Sequence, residues 1–189
     1  MHGIDISANQ VHHAVQSHNI DYCVCRAERT PFADNSFDLI TVAQAYHWID
    51  APRFCDEATR IARPRGIVAI WVYDLAYSMS PIDAIVRHWN FEILSPYWEP
   101  ERKHVYTHYE SLAFEFESIA SPKFEIEVSW NCEELVGHLK TWSALQTMKR
   151  KVGDRAFQET VQQIQAAWGV EDKRRFVFPV FLKLGRVKK

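Results

Sequence analysis

Asp5 closes a short extended stretch, His2 to Ile6, and Ser7 behind it can cap a helix. In an open α/β sheet, ligands gather at the carboxyl ends of the strands. A carboxylate placed there can accept hydrogen bonds from both hydroxyls of a ribose; the plain alternative is a capping or solvated Asp. A second group, Gln44, His47 and Trp48 in QAYHW, follows the longest apolar run. His47 titrates in the range a general base needs, or else it is a polar residue packed between Trp48 and the sheet. Trp48 reads as pocket wall or core. Glu28 follows an earlier strand pattern, where most loop acids are simply solvated. Tyr77, Trp89, Tyr97, Trp98, Tyr106 and Tyr109 crowd the stretch from Leu75 to Ser118. Aromatic groups with a few polar neighbours, here Arg102 or His104, line small-molecule pockets, but aromatics at helical spacing also pack as core. Cys23 and Cys25 form C-x-C on a strand, which is neither the redox C-x-x-C nor a zinc set. With Cys55 and Cys132 they read as reduced structural thiols, and no metal site is expected.

The elements that must position these residues alternate in the first half. Extended His2–Ile6 precedes a helix over Ala8–Ser17, then a strand over Ile20–Cys25 and a loop over Thr30–Ser36. Phe37–Ala45 is a continuous apolar run, the pattern of a strand buried on both faces of a parallel sheet. Asp50 caps a helix with Pro52 in its first turn, ending near Ala62. Pro64 and Gly66 then make a turn before the buried strand Ile67–Tyr73. This rhythm predicts a doubly wound α/β sheet. The second half departs from it. Leu75–Ser118 reads as a helical, aromatic cap inserted into a single domain over 1–189. Phe124–Trp130 alternates like a strand. Asn131 caps a helix running to Lys151, a second spans Asp154–Trp168, and Arg175–Val187 is a last strand whose Pro179 points to an edge or a bulge.

Hydrophobic residues make up 47% and charged residues 24%, which excludes a disordered chain. A formal net charge of -2 argues against a nucleic-acid partner. No apolar run has membrane length and MHGIDIS is not a signal peptide, so the cytoplasm is the expected compartment.

GIDIS, RAERTPFADNSFDLITVAQAYHWID and RIARPRGIVAIWVY together resemble the class I S-adenosylmethionine-dependent methyltransferases, in the small-molecule branch that includes trans-aconitate-methyltransferase-like proteins. LKTWSALQ and FPVFLKLGR near the end fit the same branch. The most specific combination is A-E-x-x-P-F, S-F-D-L and A-Q-A-x-H-W. The resemblance implies a Rossmann-like sheet, S-adenosylmethionine as cofactor and methyl transfer to a small molecule. It places Asp5 at the ribose and Ala27 and Glu28 at the adenine, whose edge needs a donor–acceptor pair. It places Gln44 at the methionine end, and His47 and Trp48 beside the acceptor pocket. Tyr97, Trp98 and Tyr106 are the expected pocket aromatics.

The family opens with a strand and a glycine-rich loop, E/D-x-G-x-G-x-G, whose bare backbone lets the cofactor approach. The six glycines here, at 3, 66, 137, 153, 169 and 185, form no such cluster. By resemblance the sheet lacks its first strand, so the cofactor site is incomplete and transfer is impaired by truncation. The alternative is a non-catalytic binding or structural protein on the same fold. Two ways to heal the sheet are expected: direct pairing of His2–Ile6 with Phe37–Ala45, or a homo-oligomer that covers the gap.

Overall fold

The computed structural model describes all 189 residues, and the chain divides into two compact units. The first comprises Met1–Val72, Thr107–Pro122 and Leu182–Lys189; the second comprises Tyr73–Tyr106 and Lys123–Phe181. The stretch Leu75–Ser118, read from the sequence as a cap, is divided between these units at Tyr106.

The first unit is α/β. Strand β1 (His2–Asp5) lies parallel to β2 (Asp21–Val24), and the two form a sheet of their own. Between them α1 covers only Ala8–His12. A helix was expected to Ser17, but this one buries nothing, and a short helix without a packed face is marginal. His13 turns its ring back onto the Asn9 carbonyl at 2.8 Å, and Val15 is left exposed. Strand β3 (Phe37–Ala43) runs parallel to β4 (Ala62–Tyr73) in a second sheet with the order β3-β4-β7-β5. Helix α2 (Ala51–Ile61) joins them, capped by Asp50 with Pro52 in its first turn, and it buries Phe54, Ala58 and Ile61.

The turn expected at Pro64 and Gly66 is a bulge inside β4. Phe37 pairs with Ala62 and Leu39 with Ile67, so β4 carries three residues more than β3 between these pairs. A side chain on Gly66 would stand 3.0 Å from the Arg63 carbonyl, and the neighbouring Arg65 takes a left-handed φ of 63° to close the bend.

β1 pairs with β2 and β3 with β4, and β1 does not pair with β3. The direct closure expected from sequence does not occur. The two strands are too far out of ladder contact to share hydrogen bonds, and an open cleft separates them.

In the second unit, α3 (Ile82–His88) continues through a wide turn at Trp89–Ile93; α4 (Lys103–Tyr106), α5 (Cys132–Lys140), α6 (Ser143–Val152) and α7 (Arg155–Trp168) follow. Their apolar faces meet in one core that buries Trp89, Leu94, Leu135, Leu139, Leu145 and Phe157. The single helix read from Asn131 to Lys151 is two helices. It breaks at Thr141, whose hydroxyl donates to the His138 carbonyl, while Trp142 turns inward onto the Trp98 ring at 5.8 Å. β6 (Phe124–Trp130) pairs antiparallel with β7 (Arg174–Arg186), and β5 (Glu117–Ile119) pairs antiparallel with the far end of β7 in the first unit. β7 is thus an inner strand, not the edge that Pro179 suggested. The Pro179 carbonyl accepts from the Asp74 amide at 3.0 Å, so the donor it lacks falls on the side where residues 74–77 only skirt the strand.

Candidate functional site

Because β1 and β2 are parallel, their carboxyl ends share one rim: Asp5 ends β1, and Ala27–Glu28 follow the end of β2. Asp5 Oδ1 accepts from the Ser7 amide at 2.7 Å, and Ser7 in turn caps α1. This fixes the carboxylate in direction. Oδ2 makes no hydrogen bond within the chain, and Oδ1 keeps a second lone pair.

Ala27 and Glu28 lie in a tight turn closed by Arg29 N–H on the Arg26 carbonyl. Glu28 Oε1 accepts from the Asp50 amide at 2.9 Å, which ties the turn to the start of α2. The rest of this segment hangs on a network that sequence reading missed. Glu57 Oε1 accepts from the Thr30 amide at 2.7 Å and from its hydroxyl at 2.6 Å. Arg60 donates to Glu57 and also reaches the Phe32 carbonyl and Asp34. The Arg60 hydrogen bonds, helped by Thr30, pull the Glu57 carboxyl from 4.5 down to about 2. The only sequence signal was an acid and an arginine three apart on a helix.

Asp5 and Ala27 open onto a cleft of about 500 Å³, whose other walls include Ile4, Leu39, Ala43, Ala45 and Phe54. Its floor is a cluster of three rings: His2, Phe32 and Phe37 lie with centroids 4.9 to 5.7 Å apart. Gln44 does not line the cleft, although both of its neighbours do. It sits at the carboxyl end of β3 with a left-handed φ of 51°, and its amide donates to the Trp71 carbonyl at 2.9 Å.

His47 is buried, with Nδ1 3.1 Å from the Tyr109 hydroxyl. Trp48 lies against it at 4.6 Å and is 56% exposed. Trp48 is therefore surface wall, not core. Beneath them Tyr46 is fully buried and donates to the Ala113 carbonyl; burial and the nearby Cys55 push its hydroxyl well above the usual tyrosine range. The segment carrying Tyr109 is also held by Lys183, which donates to the Tyr109 carbonyl at 3.0 Å and whose ammonium burial pulls below the ordinary lysine range.

Tyr97, Trp98 and Tyr106 lie in the second unit. The Arg102 guanidinium stacks 4.0 Å from the Trp98 ring, and Tyr106 rests on Phe91 at 5.2 Å and takes a hydrogen bond from Asn90. Tyr97 packs against the helical core. Tyr109, from the same stretch, meets His47 with ring centroids 5.9 Å apart.

All four cysteines are free, and burial raises the Cys25 thiol to about 11. No three His, Cys, Asp or Glu side chains converge as a metal set, and no helix is long and apolar enough to cross a membrane.

Residues 1–70 match the family described as "Methyltransferase domain". A methyltransferase of Dictyostelium discoideum, so named provisionally, is 33% identical over 144 residues, 75% of this chain and 55% of that protein. The chain thus spans about half the length of that curated relative. A solved structure from Anaeromyxobacter dehalogenans, provisionally named a type II methyltransferase, is 34% identical and superposes with a TM-score of 0.89, covering 99% of this chain and 80% of that one. A provisionally named methyltransferase from an antibiotic biosynthesis pathway of Anabaena variabilis shares the fold at a TM-score of 0.51 and 13% identity.

Proposed function

Since this chain belongs to the methyltransferase family, we propose that it serves methyl transfer from S-adenosylmethionine to a small-molecule acceptor. The observation that carries this reading is the rim of the cleft. There a directed carboxylate, Asp5, stands across from Ala27 above an apolar hollow.

The residues present fit the nucleoside half of that cofactor. Asp5 offers one open oxygen and one spare lone pair, the acceptors two ribose hydroxyls need. Glu28 keeps Oε2 for an exocyclic amine, beside the Ala27 amide as donor. Gln44 is assigned to the methionine end, and His47 and Trp48 to the acceptor side. The sulfonium of the bound cofactor activates the methyl group itself. The chain's own work is then to orient and to exclude water, and such positioning is worth about 7–11 kcal/mol in well-aligned reactions. To His47, whose Nδ1 lies 3.1 Å from the Tyr109 hydroxyl, we assign the taking of a proton from an acceptor hydroxyl or amine.

A second reading is a non-catalytic binding protein on the same fold. Calorimetry with S-adenosylmethionine and S-adenosylhomocysteine separates the two. Saturable binding that Asp5→Ala weakens at least tenfold supports the first reading. No binding at millimolar cofactor would leave the second.

A further inference from the structure

β6 lies at the margin of the sheet in the second unit. It pairs with β7 along its whole length, from Phe124 opposite Val180 to Trp130 opposite Arg174, and with no other strand. The direction of its backbone groups follows from the far side of β7. There the Val177 amide and carbonyl bond to Tyr77 at 2.9 and 3.0 Å, and the Pro179 carbonyl accepts from the Asp74 amide. Successive residues of a strand turn their backbone groups to opposite sides, so Phe176, Phe178 and Val180 turn theirs toward β6. Their partners there are Val128, Ile126 and Phe124. The amides and carbonyls of Glu125, Glu127 and Ser129 therefore point outward, along an edge that no strand covers.

The two faces of β6 differ, because side chains alternate along a strand. Val128 and Trp130 pack on the helical core, but Phe124 and Ile126, on the same face, are 50% and 44% exposed. The other face carries Glu125, Glu127 and Ser129, all exposed. Arg175 Nε donates to Glu127 at 2.9 Å, and Glu125 feels that guanidinium only at a distance. Charge on an edge strand commonly keeps it from pairing with its own kind. A second copy laid antiparallel on β6 places Glu125 opposite Glu127, or Glu127 opposite itself, and like charges directly opposite are destabilising. Bringing Lys123 of one copy opposite Glu125 of the other leaves only the start of the strand to pair, beside Pro122. A segment with cations at those places meets no such opposition. Its ladder bonds, its cations over the acids and its apolar groups beside Ile126 all follow one alternating pattern.

We propose that the outer edge of β6 docks an extended segment of another protein, alternately basic and apolar, as an added antiparallel strand. Its basic side chains lie over Glu125 and Glu127, and its apolar ones cover Phe124 and Ile126. The outward residues from Glu125 to Ser129 set its length. This surface lies wholly within the second unit and does not depend on the methyl-transfer reading.

The test adds the acetylated, amidated peptide GKVKVKVG to the full chain and follows backbone hydrogen exchange. Slowing of roughly tenfold or more at the Glu125, Glu127 and Ser129 amides, saturable in peptide, is expected, while the Ile126 and Val128 amides, already bonded to β7, stay unchanged. The acidic peptide GEVEVEVG should give no slowing. Glu125→Lys, at an exposed position, should abolish the effect of GKVKVKVG. No slowing at millimolar GKVKVKVG would overturn the proposal, and so would equal slowing by both peptides. Slowing that falls alike on inward and outward amides would reduce the effect to adsorption and overturn it too. Protection of the outward amides in the chain alone, rising with concentration and accompanied by a dimer in sedimentation, would assign the edge to a second copy instead.

Discussion

Asp5 and Tyr109 show how differently two residues of the chain are constrained. Asp5 is exposed and its carboxylate accepts one hydrogen bond, from the Ser7 amide, so removing the side chain should leave the fold nearly intact. Asp5→Ala is expected to shift the melting temperature by no more than about 4 °C while weakening S-adenosylmethionine binding at least tenfold. A large loss of stability with unchanged binding would place Asp5 among the structural residues. Tyr109 is 1% exposed and meets His47 from 62 positions away. Tyr109→Phe removes that hydroxyl and should cost about 1 kcal/mol, read from urea denaturation, because a buried ring nitrogen loses a partner. The position of Asp5 was legible in the sequence because it closes the first extended stretch, and β1 does end there. The His47–Tyr109 contact was not, since no local pattern couples residues that far apart.

Elements were legible where one signal dominated. The run FDLITVA gave β3, Asp50 and Pro52 gave the start of α2, and Asn131 with Glu134 forms a capping box at α5. They were illegible where tertiary contacts overrode the local pattern, as at the Thr141–Trp142 break or the bulge in β4. The segment 26–36 is held by such contacts, through Glu57. Its carboxyl titrates at about 2 in the folded chain against an ordinary value of 4.5. A lowered folded value means that the stabilisation is complete above about 4.5 and is lost as pH falls from there toward 2. Glu57→Gln should therefore lower stability at pH 7, and the gap between variant and parent should close as pH falls through this window. A gap that stays constant down to pH 2 would show that the side chain acts by packing alone. Helix α5 offers a second test. A methyl group on Gly137 meets nothing within 4 Å, so Gly137→Ala should stabilise the chain by about 0.5–1 kcal/mol, read from denaturant unfolding.

At the scale of the whole molecule, β7 is the strand on which both units depend. Its first part buries Phe176 and Phe178 in the second unit, and its last part pairs with β5 in the first. The last strand must therefore arrive before the five-stranded sheet is complete. Pairings of such long sequence separation fold slowly. The apolar run FPVFLKLGR marked this segment as a strand, but not as an inner one, because Pro179 argued for an edge or a bulge. Its far end is also where packing is tightest. A side chain on Gly185 would lie 2.5 Å from Phe116 Cβ and 2.8 Å from the Phe114 ring. Neither aromatic has room to withdraw freely, since Phe116 is 6% exposed and the two rings already touch at 5.0 Å. Gly185→Ala should thus force β5 away from β7 and cost about 1–3 kcal/mol, the usual range for overpacking a filled site. The expected readout is a lower urea midpoint with an unchanged slope, together with faster exchange at the Glu117–Ile119 amides. Parent-like stability and exchange would mean that β5 yields without loss, and that the close approach of Gly185 to the aromatic pair does not hold this end of the sheet.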